Sequence, residues 1–161
     1  MNRFALAAAA LCLSAAAQAQ VTTSDRAFLA QDAQGGLYEA QIATVALDRS
    51  ERADIKAYAS RLLTDHATYN QALRELAAAK GIPVPTELTL ENKNKATVLF
   101  NQTRSVSDSN FIEEAIRINN EDRQAAEIES AQTQDADIKA FLKKFAAMDE
   151  EHERMALLLK K

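Results

Sequence analysis

The sequence predicts an all-α protein, and three observations support this fold class. Only three glycines and two prolines occur in 161 residues, and the common residues Ala, Leu, Lys, Glu and Gln favour helices. The absence of tryptophan and the scarcity of β-branched runs leave little from which to build a sheet. In addition, part of the sequence recurs 83 residues later. Together these features predict a bundle of duplicated helical hairpins.

The first nineteen residues do not fit that bundle. Arg3 precedes an apolar run from Phe4 to Ala17, and Ala17-Gln18-Ala19 is a small-x-small pattern. These features are typical of a secretory signal peptide, whereas a permanent membrane anchor would need a longer apolar run. We therefore predict a signal peptide at residues 1–19, cleavage between Ala19 and Gln20, and one helical domain at residues 20–161.

Cleavage would change the chemistry of the mature chain. It removes Cys12, the only cysteine, so we expect no disulfide and no thiolate ligand. It also removes Arg3, which takes the formal charge from −4 to −5 and argues against nucleic acid as a partner. We expect a periplasmic or secreted protein with no transmembrane segment in the mature chain. Association with the outer membrane is the alternative location.

The first predicted hairpin consists of two long helices. A helical pattern runs from about Asp25 to Leu47, with Thr23 or Ser24 as its N-cap. After a break at residues 48–50, a second helix is expected at about residues 51–80. Gly81 should end it, because glycine is the usual residue just beyond a helix C-terminus.

The rest of the chain predicts a connecting segment and a second hairpin. Pro83 and Pro85 delay the next helix, so a short connecting helix is expected at about residues 90–101. Ser107 is the predicted cap of a third long helix at about residues 108–131. The fourth should run from about Gln134 to the C-terminus.

The two hairpins share one sequence register. Residues 53–58 recur as residues 136–141, and the shift of 83 holds without a gap from Phe28 to Tyr58. Duplicated αα-hairpins that pack together form a four-helix bundle, and a long connection between them is typical of ferritin-like folds. We therefore predict a ferritin-like antiparallel four-helix bundle with a crossover segment that contains the short helix.

Each long helix carries a seam of apolar residues spaced by three or four positions, and ionisable residues interrupt these seams. Buried carboxylates are costly unless they are paired, hydrogen-bonded or bound to a metal. A set from all four helices therefore predicts a polar site in the core. The candidate metal ligands are Glu39, His66, Asp122, Asp149 and His152.

This set is an incomplete version of a ferritin-like dinuclear site, which uses two Glu and two Glu-x-x-His pairs. Asp149-x-x-His152 resembles one such pair, but Leu63 stands three residues before His66. The histidines are also offset by three residues relative to the repeat. We therefore expect one transition-metal ion (Fe, Mn, Zn or Cu) or a set of internal His–carboxylate hydrogen bonds. A set whose nearest donor atoms lay more than about 6 Å apart could not share an ion.

The chain also resembles the bacterial exported family called domain of unknown function 4142. The resemblance rests on residues 28–29, residues 35–39, Asp65-His66 with Asn70 and Leu73, residues 108–112, and residues 138–141 with His152. It implies a ferritin-like fold and an envelope location, without an established reaction. Two departures concern the site, because Asn119 replaces a common histidine and Asp149 replaces an apolar residue.

The sequence contains no complete catalytic motif, so we predict that the protein is not an enzyme. We predict instead an exported binding or structural protein that is associated with the cell envelope or with stress. Its partner would be an envelope protein or a small ligand. The alternative is a metal-binding or redox ferritin-like protein that uses the five candidate residues.

Overall fold

The computed structural model describes residues 21–160, so the predicted signal peptide lies outside the described part. Within this range the chain forms five helices and no strand. They are α1 (Thr23–Arg49), α2 (Ala53–Ala79), α3 (Leu90–Phe100), α4 (Arg104–Gln132) and α5 (Ala136–Leu159). The predicted all-α fold and the four long helices with one short connecting helix are confirmed.

The helix ends follow local chemistry, with two corrections to the expected caps. Thr22, not Thr23 or Ser24, caps α1 through a capping box with Asp25. Helix α4 begins at Arg104, one turn before the predicted start, so Ser107 lies inside the helix instead of capping it. Gly81 ends α2 as predicted. Its positive φ of 62° lets Ile82 N donate to Ala77 O at 2.8 Å.

The duplicated hairpins have matching turns. Helices α1 and α4 end at residues related by the 83-residue shift, and α2 and α5 begin at related residues. Ser50 and Thr133 occupy equivalent buried positions in the turns. The hydroxyl of each accepts a hydrogen bond from the backbone N–H two residues later, at 3.1 Å. The same turn chemistry therefore sets the geometry of both hairpins.

Neighbouring helices in the bundle are antiparallel. Contacts such as Ser24 with Glu129 and Tyr38 with Glu114 show that α1 and α4 run in opposite directions. Helices α2 and α5 are also antiparallel, since Tyr58 contacts His152 while Lys80 contacts Asp135. Helices α2 and α4 consequently run in the same direction. The segment between them must return along the bundle, and it does so beside α1 with α3 included, as in ferritin-like topologies.

The core consists of two apolar clusters separated by a polar layer. One cluster is centred on Ile42, Leu62 and Phe111, and the other on Leu29, Leu73 and Phe141. Between them, all four long helices contribute buried or half-buried polar side chains. None of the five helices described here combines the length and the mean hydropathy that a membrane span requires.

Candidate metal centre

Three of the predicted ligands meet in the polar layer. Glu39 from α1, His66 from α2 and His152 from α5 each offer one donor atom, and these atoms all lie within 4.8 Å of one another. Each residue is at most 2% exposed. Two atoms bound to one ion through bonds of about 2.1 Å are about 3.4 Å apart at a tetrahedral angle. A contraction of up to about 1.4 Å would therefore let the three side chains share an ion.

Several donor atoms of this group have no hydrogen-bond partner among the described residues. They are Glu39 Oε1, both ring nitrogens of His66, and His152 Nδ1. His66 Nε2 and Glu39 Oε1 lie 3.3 Å apart but lack hydrogen-bond geometry. Ligand atoms at tetrahedral or octahedral angles around one ion are separated by about 3.0–3.4 Å. The spacing of this pair is therefore that of two ligands.

Hydrogen bonds from outside the group hold two of the three side chains. Asn119 Nδ2 donates to Glu39 Oε2 at 3.0 Å and to Ala115 O at 2.8 Å. Asp65 Oδ2 lies 2.9 Å from His152 Nε2. Each contact occupies one atom of the ligand residue and leaves its other donor atom free.

The two glycines of α1 make room for polar side chains at this level. A Cβ on Gly36 would overlap Asn70 Oδ1, and Asn70 Nδ2 donates to Gly36 O at 3.1 Å. A Cβ on Gly35 would lie 3.2 Å from Asp122 Oδ2. The close approach of Asn70 to α1 therefore depends on the missing side chain of Gly36, although glycine costs up to about 1 kcal/mol in a helix.

Three buried or half-buried aspartates near the group are difficult to ionise. Burial raises the pKa of Asp32 to about 6, that of Asp149 to about 7 and that of Asp122 to about 8. For Asp122 and Asp149 the nearby Glu39 carboxylate adds to the rise. Tyr69 donates a hydrogen bond of 2.5 Å to Asp32 Oδ2. Burial and mutual repulsion therefore favour the protonated form of these acids, and a bound cation would reverse that preference.

The two histidines differ in their electrostatic surroundings. Burial lowers the pKa of His66, but Glu39 and then Asp149 and Asp122 raise it, and the net direction is upward. Burial also lowers the pKa of His152, and there the net direction is downward, since the hydrogen bond to Asp65 does not offset burial and the neighbouring His66.

The structure separates the five predicted ligands into two groups. Glu39, His66 and His152 come together, while Asp122 and Asp149 lie outside the set of mutually close donor atoms. The three-residue offset between the histidines does not come from an insertion, because α2 and α5 begin at equivalent residues and both are continuous. Equivalent positions carry different residues instead. The repeat pairs are Glu39 with Asp122, His66 with Asp149, and Tyr69 with His152.

Sequence reasoning did not assign a role to three residues at the site. Asp32 lies seven residues before Glu39 on the same seam, and that spacing was a usable signal. The sequence marks Asp65 only as part of a family motif, and Asn119 only as a departure from that motif. Their contacts with Tyr69, His152 and Glu39 are tertiary, so no spacing in the sequence predicts them.

Comparisons with known proteins agree with this architecture. A crystal structure described as a DUF305 fragment from Deinococcus radiodurans matches with a TM-score of 0.72. The match covers 87% of this chain and 97% of that chain at 12% sequence identity, so it supports the fold alone. No curated protein matches the sequence. The profile of the family described as "Domain of unknown function (DUF4142)" matches residues 10–159. The chain therefore belongs to this family.

Proposed function

We propose that this protein binds one divalent transition-metal ion in the core of its bundle, through Glu39, His66 and His152. The observation that carries the proposal is the convergence of three buried side chains, each with one possible ligand atom within 4.8 Å of the other two and at least one atom without a hydrogen-bond partner among the described residues. Leaving buried polar atoms without partners costs about 1–3 kcal/mol for each group. A bound ion would use these atoms and offset that cost.

The competing interpretation is a purely structural His–carboxylate network. Such a network should satisfy its own members, because a partly satisfied buried network is less favourable than an apolar core. Here Glu39 Oε1 and His66 Nε2 form an ion-pair contact of 3.3 Å outside good hydrogen-bond geometry, and Nδ1 of each histidine has no partner among the described residues. The unsatisfied atoms therefore favour the metal site over the structural network.

The donor set indicates the class of metal. Two imidazoles and one carboxylate suit Fe, Zn and Cu, with Mn as a further candidate, better than Mg or Ca, which prefer all-oxygen ligands. Three protein ligands leave at least one position for water or a small ligand. Asp122 and Asp149 act electrostatically on His66, and a bound cation would favour their deprotonated, negatively charged forms. We propose no reaction for the site.

The N-terminal sequence pattern supports the proposal that the protein works outside the cytoplasm. Residues 1–19 have the features of a cleavable signal peptide, and the chain that remains lacks cysteine. We infer a periplasmic or secreted, envelope-associated role in which the bundle binds a metal, a small ligand or an envelope protein. Cell fractionation with an antibody against the mature chain tests the location, and a full-length cytoplasmic product would contradict it.

Metal content of untagged protein, purified without chelators, tests the central proposal. We expect about one ion per chain by elemental analysis. A ligand at one hundred times its Kd should stabilise the fold by about 2.7 kcal/mol, which raises the melting temperature. Glu39→Gln, His66→Ala and His152→Ala should each lose the ion. The matched control is Glu75→Gln, which changes an exposed carboxylate of α2 and should retain it.

The opposite result is equally clear. Wild-type protein with far less than one ion per chain, and with no thermal shift on addition of Fe, Mn, Zn or Cu, would exclude this function. Loss of the ion in the Glu75→Gln control would show that the bound metal is adventitious.

A further inference from the structure

Asp65 and His66 are neighbours in the chain, but Asp65 contacts the histidine of the other hairpin. Successive residues of a helix point about 100° apart, so the two side chains leave α2 in different directions. His66 enters the core, while Asp65 Oδ2 lies 2.9 Å from His152 Nε2 on α5. The side chain of Asp65 is 19% exposed. The contact therefore joins the polar layer to the surface.

Arg61 anchors the outer end of this contact. Its Nε donates to the same Asp65 oxygen at 2.5 Å, one helical turn before Asp65. Arg61, Asp65 and His152 all line a surface groove of about 420 Å³ between α2 and α5. A carboxylate that pairs with an arginine is a hydrogen-bond acceptor only. His152 must then carry its proton on Nε2, and this N–H donates a hydrogen bond to Asp65 Oδ2.

This proton position determines which ring nitrogen of His152 is free. A neutral imidazole protonated on Nε2 has its lone pair on Nδ1. His152 Nδ1 is buried and has no partner among the described residues. It is therefore the ring nitrogen of His152 that remains available to an ion.

We propose that Asp65 is a positioning residue, which holds His152 in the Nε2–H tautomer so that Nδ1 is the metal donor. The inference rests on the proposed metal site. Partners of this kind orient a ligand histidine and raise its basicity, and their loss lowers metal affinity by about 10- to 100-fold. The second hairpin thus contributes a ligand that the first hairpin orients.

The test begins with the metal-free full chain, labelled with ¹⁵N. The sequence contains only two histidines, so a long-range ¹H–¹⁵N spectrum separates both imidazoles, and a His66→Gln variant assigns them. We expect His152 in the Nε2–H tautomer in the wild type. Asp65→Ala should give a mixture of tautomers and lower zinc affinity, measured by calorimetry, by about 10- to 100-fold.

Asp54→Ala is the matched control, because Asp54 is also an aspartate of α2 paired with an arginine, at 2.8 Å from Arg52. It should change neither the tautomer nor the zinc affinity. A wild-type His152 protonated on Nδ1 would overturn the inference, even if Asp65→Ala failed to fold. An unchanged tautomer in folded Asp65→Ala would also overturn it. Since the tautomer is measured without metal, a protein that binds no zinc would refute the metal site separately.

Discussion

Glu129→Gln is expected to stabilise the protein at pH 8 and to leave its stability almost unchanged near pH 4.5. Glu129 lies in the last turns of α4 and is 4% exposed, and Asp25 in the first turn of α1 is 1% exposed. One oxygen of each carboxyl has no partner among the described residues, and Ser24 donates to the other Glu129 oxygen at 3.4 Å. A proton held by Glu129 and shared with Asp25 would satisfy both free oxygens.

The size of the effect follows from the pKa of Glu129. Burial, followed by the hydrogen bond and charge of Asp25, raises that pKa from 4.5 to about 7. A group whose folded pKa is raised contributes stability that is fully present below its unfolded pKa and is lost as the pH rises through the folded value. A rise from 4.5 to about 7 corresponds to at most about 3.4 kcal/mol. Glutamine stays neutral and keeps a donor for Asp25, so the variant should avoid this loss.

Urea unfolding of wild type and Glu129→Gln between pH 4.5 and pH 8 measures the effect. The difference in free energy of unfolding should grow from near zero to about 1–3 kcal/mol in favour of the variant. Glu75→Gln, on the exposed face of α2, should show a nearly constant difference from wild type. A constant difference for Glu129→Gln as well, or one that shrinks with pH, would refute the shared proton.

Further predictions concern the polar layer. Gly36→Ala should destabilise the fold by about 1–3 kcal/mol in urea unfolding, because the new Cβ overlaps Asn70 and displaces it. Gly35→Ala should leave the stability nearly unchanged, because the tight 3.2 Å contact of its Cβ with a carboxylate oxygen is offset by the higher helix propensity of alanine. Equal losses of stability for both variants would contradict this account. Asn119→Ala should lower zinc affinity about tenfold in calorimetry, because Glu39 loses a donor at 3.0 Å. An unchanged affinity would show that Asn119 does not orient Glu39.

The sequence predicted the candidate site as far as helix periodicity allows. Periodicity places Glu39, His66 and His152 on inward seams, and burial confirms all three positions. Periodicity cannot give the axial offset of one helix relative to another. For that reason Asp122 and Asp149 entered the same prediction as the three converging residues, although their donor atoms lie outside the close set.

Helix existence, the duplicated hairpin and the crossover were determined by the sequence alone, because they depend on composition, local propensity and an internal repeat. Gly81 illustrates this, since its positive φ and the break it causes are local properties. The tertiary structure decided which polar groups became partners. Asp65 forms a hydrogen bond with His152 and not with its sequence neighbour His66. Asn119 on α4 donates a hydrogen bond to Glu39 on α1. Such contacts depend on the axial offset between neighbouring antiparallel helices. Packing of the two apolar clusters sets that offset.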